Sequence, residues 1–154
     1  MFDFKNKIAV VTGGARGIGK CIREEFEKAG ATVLVIDLLP NDYFVGDLAD
    51  KATLERFAEK VIAEYGRVDY LINNAAPRMC GIEDCTYEDF ENALRVGVTA
   101  PFFLYNISEE SFHFFTTDIP WLLSRKSYHK MRNLASLKGN FYEGKRNFCK
   151  ILHP

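Results

Sequence analysis

A glycine-rich stretch near the amino terminus constrains the fold of this chain more than any other feature. Residues 12–19 read Thr-Gly-Gly-Ala-Arg-Gly-Ile-Gly, after the apolar run Ile8–Val11 and before an amphipathic segment that ends near Ala29. This order predicts a buried strand, a tight turn and a helix. The N–H groups at such a helix start favour an anion, and glycines let a phosphate approach the backbone closely. A single glycine motif is weak evidence, so the flanking sequence must support it.

The segments that follow alternate between apolar runs and amphipathic stretches. The apolar runs predict strands at 7–12, 31–36, 43–45 and 68–72. The amphipathic stretches predict helices at 17–29, at 51–65, from residue 87 onward and at 99–105. Asp50 is placed to cap the second helix, and Thr86 with Asp89 forms a capping-box pattern before the third. Helical spacing puts four residues on the buried face of the first helix: Ile18, Ile22, Phe26 and Ala29.

Strands that alternate with helices predict a parallel sheet, because right-handed crossovers lay the helices over both of its faces. We therefore expect an α/β fold, a three-layer αβα Rossmann-type parallel sheet with strand order 3-2-1-4. The sheet is expected to be incomplete, since no clear buried strand follows Ile107. Strand 4 would then present an apolar, unpaired edge, which favours marginal stability and association with another chain unless the tail shields that edge.

Composition limits the classes of function. The chain has 154 residues, a net charge of -1 and no apolar run of membrane-spanning length, so neither nucleic acid nor a membrane is an expected partner. Its first residues lead directly into a strand and leave no room for a signal peptide. The four cysteines are scattered, which favours a reduced, cytoplasmic protein. Cys80 and Cys85 lack a second ligand pair, so they are interpreted as loop thiols and no metal site is predicted.

The character of the sequence changes near Asn106. The remaining residues contain eight Lys or Arg but only four Asp or Glu, whereas acidic residues predominate before this point. Aromatic residues in this part follow no sustained period. We therefore divide the chain into a half-domain at 1–105 and an atypical tail at 106–154, which is interpreted as frame-altered, disordered or a genuine appended segment.

Several motifs in the first part resemble those of the short-chain dehydrogenase/reductase family. Thr12-Gly13-x-x-x-Gly17-x-Gly19 is similar to its cofactor motif, and the sequence at 73–76 is similar to its Asn-Asn-Ala-Gly motif, with Ala76 in place of the glycine. The resemblance covers roughly 5–104 and implies a dinucleotide-binding half-domain. The site residues that it implies, together with the strand-end carboxylate, are Gly13, Arg16, Gly17, Ile18, Gly19, Asp37, Asp47, Leu48, Asn74, Ala75 and Ala76.

The expected cofactor is NAD, with NADP less favoured. Asp37 ends the second strand 18 positions after Gly19, where a carboxylate accepts hydrogen bonds from the adenosine ribose hydroxyls and repels a 2′-phosphate. Arg16 has the opposite effect, because a guanidinium attracts that phosphate. Simpler interpretations remain open: Asp37 as a solvated strand end, Asp47 as a turn cap, and the glycines as a structural turn.

The catalytic residues of the family are not found. The resemblance implies a Ser, a Tyr-x-x-x-Lys pair and an Asn on the helix before them, but Gly97 occupies the position of that Asn. Tyr128 and Tyr142 are followed four residues later by Arg132 and Arg146, and neither has a Ser twelve or thirteen residues upstream. No catalytic residue is assigned.

Two functions follow as hypotheses. The first is an NAD(P)-dependent oxidoreductase that is truncated or frame-altered, retains the cofactor-binding half and would act on an alcohol or carbonyl compound only if intact. The alternative is a non-catalytic nucleotide-binding or interaction module that pairs with a full-length relative. The resemblance also implies a homo-oligomer, because in the family the helices around Phe90 and Pro101 commonly form the subunit interface.

Overall fold

The computed structural model describes residues 3–77, 80–81 and 83–107, together with the backbone of 113–116. The elements in chain order are β1 Ile8–Thr12, α1 Gly17–Lys28, β2 Thr32–Asp37, β3 Phe44–Val45, α2 Lys51–Tyr65, β4 Tyr70–Asn73, α3 Tyr87–Leu94, α4 Ala100–Tyr105 and β5 His113–Thr116. All of them lie in one compact unit, Met1–Asp118, and 119–154 lie outside the described residues. Among the described helices, none is both long and apolar enough to cross a membrane.

The strands form one parallel sheet in the order β3-β2-β1-β4-β5. The predicted α/β Rossmann-type order 3-2-1-4 is therefore confirmed. The edge of β4 is not left unpaired: residues of the predicted tail shield it, because the four residues of β4 pair with His113–Thr116. This strand carried no clear signal in the sequence, since a parallel neighbour joins through backbone hydrogen bonds that any residue except proline can make.

Apolar side chains on both faces of the sheet form the core. All five residues of β1 are buried, as a parallel strand covered on both sides requires. On one face, Ala9 and Ile72 of the sheet pack in one cluster with Ile22 of α1. Phe57 of α2 and Leu104 of α4 are also fully buried, and these two helices contact each other. The layered arrangement places the helix starts at the carboxyl edge of the sheet.

Helix α1 begins and ends close to the predicted bounds, but its first turn differs from the prediction. Ile22 is buried, whereas Ile18 is 57% exposed and does not belong to the buried face. Ile18 lies in the turn that follows the glycine loop, at the carboxyl edge of the sheet, where no strand continues to cover it. Periodicity alone does not show where the covering surface ends.

The predicted caps of the next two helices are confirmed. The Asp50 carboxylate accepts hydrogen bonds from the N–H groups of Ala52 and Thr53, at 3.2 and 3.1 Å. Thr86 and Asp89 form the reciprocal capping box at the start of α3. Such caps satisfy N–H groups that have no partner within the helix.

The two helices predicted from residue 87 and at 99–105 are both present as α3 and α4, but no break separates them. Helix α3 continues through a π-helical turn, Arg95–Thr99, directly into α4. Leu94 and Thr99 both keep right-handed helical angles, so nothing interrupts the run. Pro101 has no N–H to donate to the carbonyl four residues earlier, and a wider turn before it accommodates that missing bond.

Candidate functional site

The carboxyl ends of β1, β2 and β4 meet at one edge of the sheet. Gly13 follows β1, Leu38 follows β2, and Asn74 follows β4. In open parallel sheets, ligands bind in the crevice beyond this edge, where neighbouring connections lead in opposite directions. The predicted site residues of these three connections are therefore brought together by the topology.

The glycine loop is held by hydrogen bonds from the two neighbouring strands. The Gly13 N–H donates to the Ile36 carbonyl of β2 at 2.8 Å. From the other side, the Asn74 side-chain amide donates to the carbonyls of Thr12 and Gly13, both at 3.1 Å. Because these bonds come from both sides, the loop has one well-defined path over the sheet edge.

Two glycines are required by this geometry for different reasons. Gly17 has a φ of +59°, in the left-handed region that residues other than glycine rarely adopt. A Cβ at Gly19 would collide with the carbonyl of Gly13 and with the Asn74 amide. The close approach of α1 to the loop therefore depends on the absence of a side chain at Gly19.

Thr12 is a site residue that the sequence analysis did not assign. Its hydroxyl oxygen accepts hydrogen bonds from the N–H groups of Asn74 and Ala75, at 3.1 and 3.0 Å. The hydroxyl itself lies 3.5 Å from the carbonyl of Ile72, to which it donates. Thr12 thus fixes the Asn74–Ala75 connection against β1. The available signal was its place at the start of the glycine motif, directly after an apolar strand.

The start of α1 carries no side-chain cap. Arg16 occupies the capping position with an exposed side chain that makes no capping bond, and the first turn contains no acidic residue. In contrast, α2 and α3 begin with caps from Asp50 and Thr86. The first N–H groups of α1 and its positive dipole end are therefore suited to an external anion.

Asp37 faces the glycine loop from the end of β2. One oxygen of its carboxylate accepts a hydrogen bond from the Ala15 N–H at 2.9 Å, and the other accepts one from the Leu39 N–H at 2.9 Å. A carboxylate has about four acceptor positions, so two bonds leave capacity for hydroxyl donors. These bonds orient the carboxylate and place a negative charge beside the loop.

The residues predicted on the adenine side have different surroundings. Asp47 is exposed, and its carboxylate accepts a hydrogen bond from the Ala49 N–H at 2.8 Å, so it also acts as a turn cap. Leu48 is only 7% exposed, so its side chain belongs to the core and only its backbone is available to a ligand. Ala76 is exposed at the end of the β4 connection.

Of the positions compared with the catalytic residues of the family, the structure describes only Gly97. Gly97 lies within the π-helical turn, and a side chain there would meet no atom within 4 Å. Tyr128, Arg132, Tyr142 and Arg146 lie outside the described residues. Among residues 3–77, 80–81 and 83–107, no tyrosine is followed four residues later by a lysine.

Comparison with known proteins agrees with this arrangement of motifs. The family model for short chain dehydrogenase matches residues 7–112. This chain belongs to the short chain dehydrogenase family. Momilactone A synthase of Oryza sativa subsp. japonica is 33% identical over 113 residues, which are 62% of this chain and 41% of that protein. The L-rhamnose 1-dehydrogenase (NADP(+)) of Thermoplasma acidophilum is 35% identical over 136 residues, which are 77% of this chain and 50% of that protein.

A solved structure shares the fold of this member of the family. It is a blue fluorescent protein from a metagenomic library in complex with NADPH, at a TM-score of 0.65 and 25% identity, with 74% of this chain and 56% of that chain covered. The chain spans about half the length of the curated relatives named above. The family uses a nicotinamide dinucleotide, in agreement with the sequence prediction at that level.

Proposed function

We propose that this chain binds a nicotinamide dinucleotide at the carboxyl edge of its sheet. The observation that carries the proposal is the uncapped start of α1, whose N–H groups lie beside a loop held by Asn74 and faced by the Asp37 carboxylate. A dinucleotide offers a pyrophosphate to the helix start and ribose hydroxyls to the carboxylate.

Each part of the cofactor is assigned to a group of residues. The pyrophosphate is assigned to the loop and first helical turn, which comprise Gly13, Arg16, Gly17, Ile18 and Gly19. The adenosine is assigned to residues on the three other connections, which comprise Asp37, Asp47, Leu48, Asn74, Ala75 and Ala76. The exposed side chains of Ile18 and Leu38, 57% and 68% exposed, support this assignment because a ligand in the crevice would cover apolar surface there.

NAD is proposed as the preferred cofactor, although two similar proteins are named with NADP or solved with NADPH. Asp37 repels a 2′-phosphate at the ribose. A cavity of about 290 Å³ between α1 and the turn after β2 includes Arg23, but this guanidinium is paired with Asp42 and Glu27 at 2.7 Å each. The hydrogen bonds with Asp42 and Glu27 raise the pKa of Arg23. Because these two carboxylates already neutralise the guanidinium, it attracts a 2′-phosphate only weakly. Arg16 is left as the opposing influence.

We also propose that this chain lacks part of the family's set of catalytic residues. Gly97 has no side chain to support a proton relay, and the sequence contains no tyrosine followed four residues later by a lysine. We propose that the sequence departs from the family after residue 112, where the family match ends, as it would after a change of reading frame, so that the chain binds the cofactor without transferring hydride. The encoding nucleotide sequence tests the frame change: another frame downstream should encode a Ser and a Tyr-x-x-x-Lys.

Calorimetric titration of the full chain with NAD⁺ and NADP⁺ tests the cofactor proposal. We expect NAD⁺ to bind at least about tenfold more tightly than NADP⁺, because like charges in close contact cost several kcal/mol. Asp37→Asn should remove most of this difference, and Asp84→Asn, on an exposed turn, should leave it unchanged. Equal affinities in the unmodified chain would contradict the NAD preference, and no binding of either at millimolar concentration would exclude the site.

An assay with NADH and a broad carbonyl panel tests the second part of the proposal. We expect no turnover above the background without protein. Robust turnover by the purified 154-residue chain would show that the catalytic set is complete after all, without affecting the binding result.

A second candidate function, a module that pairs with a full-length relative or with another copy, is favoured by exposed apolar residues on the α3–α4 run. Tyr87, Phe90, Leu94 and Phe102 are between 45% and 79% exposed. Several large apolar side chains exposed along one helical run are typical of an interface. Sedimentation analysis of the chain tests self-association, and Phe102→Glu should abolish any dimer that uses this surface.

A further inference from the structure

The connection between β4 and α3 carries a cluster of metal-ligating side chains that the dinucleotide site does not use. The Sγ atoms of Cys80 and Cys85 and a carboxylate oxygen of Asp89 all lie within 4.8 Å of one another. The spacing of the two cysteines along the chain predicts loop thiols, because no second ligand pair accompanies them. The first turn of α3 nevertheless brings Asp89 to the thiols.

We propose that Cys80, Cys85 and Asp89 form a binding site for a zinc-type divalent cation. Two thiolates and one carboxylate are a donor set that suits Zn²⁺ and does not suit Mg²⁺ or Ca²⁺, which prefer oxygen alone. The site lies outside the predicted cofactor residues and does not depend on the proposed function.

The distances in the cluster agree with this size of ion. With Zn–S bonds of about 2.3 Å and Zn–O bonds of about 2.1 Å, the ligand atoms of one tetrahedral ion lie about 3.6–3.8 Å apart. The three atoms of the cluster therefore need to move together by no more than about 1 Å. Rotation of exposed or half-buried side chains supplies a movement of this size without displacement of the backbone.

Local hydrogen bonds hold the ligands near one another. The Gly81 carbonyl accepts a hydrogen bond from the Asp84 N–H at 3.0 Å, and this turn lies between the two cysteines in the chain. One oxygen of Asp89 accepts bonds from the N–H and hydroxyl of Thr86, at 3.1 and 2.7 Å. The capping box therefore orients the carboxylate in the way that outer hydrogen bonds orient ligands in metal sites.

The surroundings leave room for a fourth ligand. Both cysteines line a cavity of about 500 Å³ together with Thr86, Tyr87 and Phe90. A tetrahedral ion with three protein ligands takes a water molecule or an added ligand at its remaining position. The cavity is large enough to hold either.

Titration of the reduced full chain with Co²⁺ and Zn²⁺ tests the proposal. We expect one equivalent of Co²⁺ to bind with the visible bands and the sulfur charge-transfer band of tetrahedral thiolate coordination, and Zn²⁺ to displace it. Cys80→Ser, Cys85→Ser and Asp89→Asn should each weaken Zn²⁺ binding by at least about tenfold, because even outer-shell changes cost 10–100-fold. Thr86→Ala, which removes the orienting hydroxyl, should weaken it by about tenfold.

Two matched variants and one measurement make the result decisive. Cys21→Ser and Cys149→Ser remove the other thiols and should leave Zn²⁺ affinity unchanged. Circular dichroism spectra recorded without metal should be the same for all variants. A loss of binding then cannot be explained by a loss of fold. Unchanged Zn²⁺ affinity in the Cys80→Ser/Cys85→Ser double variant would overturn the proposal. So would a reduced chain that binds no metal, or one that only forms a Cys80–Cys85 disulfide on oxidation.

Discussion

Two glycines, Gly66 and Gly97, have the same empty surroundings but different backbone angles. A Cβ added at either residue would meet no atom within 4 Å. Gly66 ends α2 with a φ of +69°, whereas Gly97 lies inside the π-helical turn of the α3–α4 run. The difference between them isolates the effect of backbone conformation from that of packing.

We predict that Gly97→Ala stabilises the chain by about 0.5–1 kcal/mol, because alanine restricts the unfolded chain at no steric cost in a helical position. Gly66→Ala should destabilise it by about 1 kcal/mol or more, because alanine is strained at positive φ. Urea denaturation of both variants measures the two free energies of unfolding. Equal effects at the two residues would show that the left-handed angle of Gly66 is not maintained.

At the scale of elements, Asp69 joins the starts of β1 and β4. One carboxylate oxygen accepts a hydrogen bond from the Ile8 N–H at 2.9 Å, and the Lys7 ammonium and the Arg67 guanidinium lie 3.3 and 3.2 Å from the carboxylate. Burial by itself raises the pKa of Asp69, but the hydrogen bonds from Ile8, Arg67 and Lys7 together lower it below the ordinary value of an aspartate. The ionised carboxylate therefore stabilises the folded chain.

Because the folded-state pKa of Asp69 lies below that of the unfolded chain, its stabilisation is fully present at pH values above the unfolded pKa of about 3.9. It is lost as the pH falls through the lower folded-state value. We predict that Asp69→Asn is less stable than the unmodified chain at pH 7 and that this difference shrinks as the pH falls below about 4. Denaturation at a series of pH values measures it, with Glu59→Gln on α2 as a control. A pH-independent difference would contradict the assignment to charge.

At the scale of the whole molecule, β5 covers the edge of β4. The pairing of His113–Thr116 with Tyr70–Asn73 converts a sheet of four strands into one of five. Without β5, β4 would lie at the edge of the sheet, and an apolar edge strand pairs readily with other chains. A strand from the predicted tail segment therefore protects this edge of the sheet.

We predict that a chain shortened to end at Ile107 associates through β4, whereas one shortened to end at Asp118 does not. The shorter chain should elute earlier or precipitate at high concentration. At low concentration, where it is monomeric, those amides of Tyr70–Asn73 that face β5 should lose protection from hydrogen exchange. Size-exclusion chromatography and exchange measurements on the two chains make the comparison. If both stay monomeric with the same protection, β5 contributes nothing to the edge.

The order of strands and helices was predictable because each element carries its signal within its own residues. The apolar β1, the Asp50 cap and the Thr86–Asp89 capping box were all identified, and the structure confirms them. The features that were not predicted correctly depend on contacts with residues that are distant in the sequence. Ile18 has the spacing of a buried residue but lies where the sheet ends, and β5 forms only against an existing edge.

The sequence by itself determined that the chain alternates strands and helices and that glycines follow its first strand, since hydrophobic period and turn chemistry are local. Only the tertiary structure decided that Asn74 supports the loop at Gly13, 61 positions earlier, and that Asp89 meets Cys80 and Cys85. Such contacts are set by how strands pair and where a helix begins. Spacing along the chain does not contain them, because distant residues become neighbours only when the sheet is assembled.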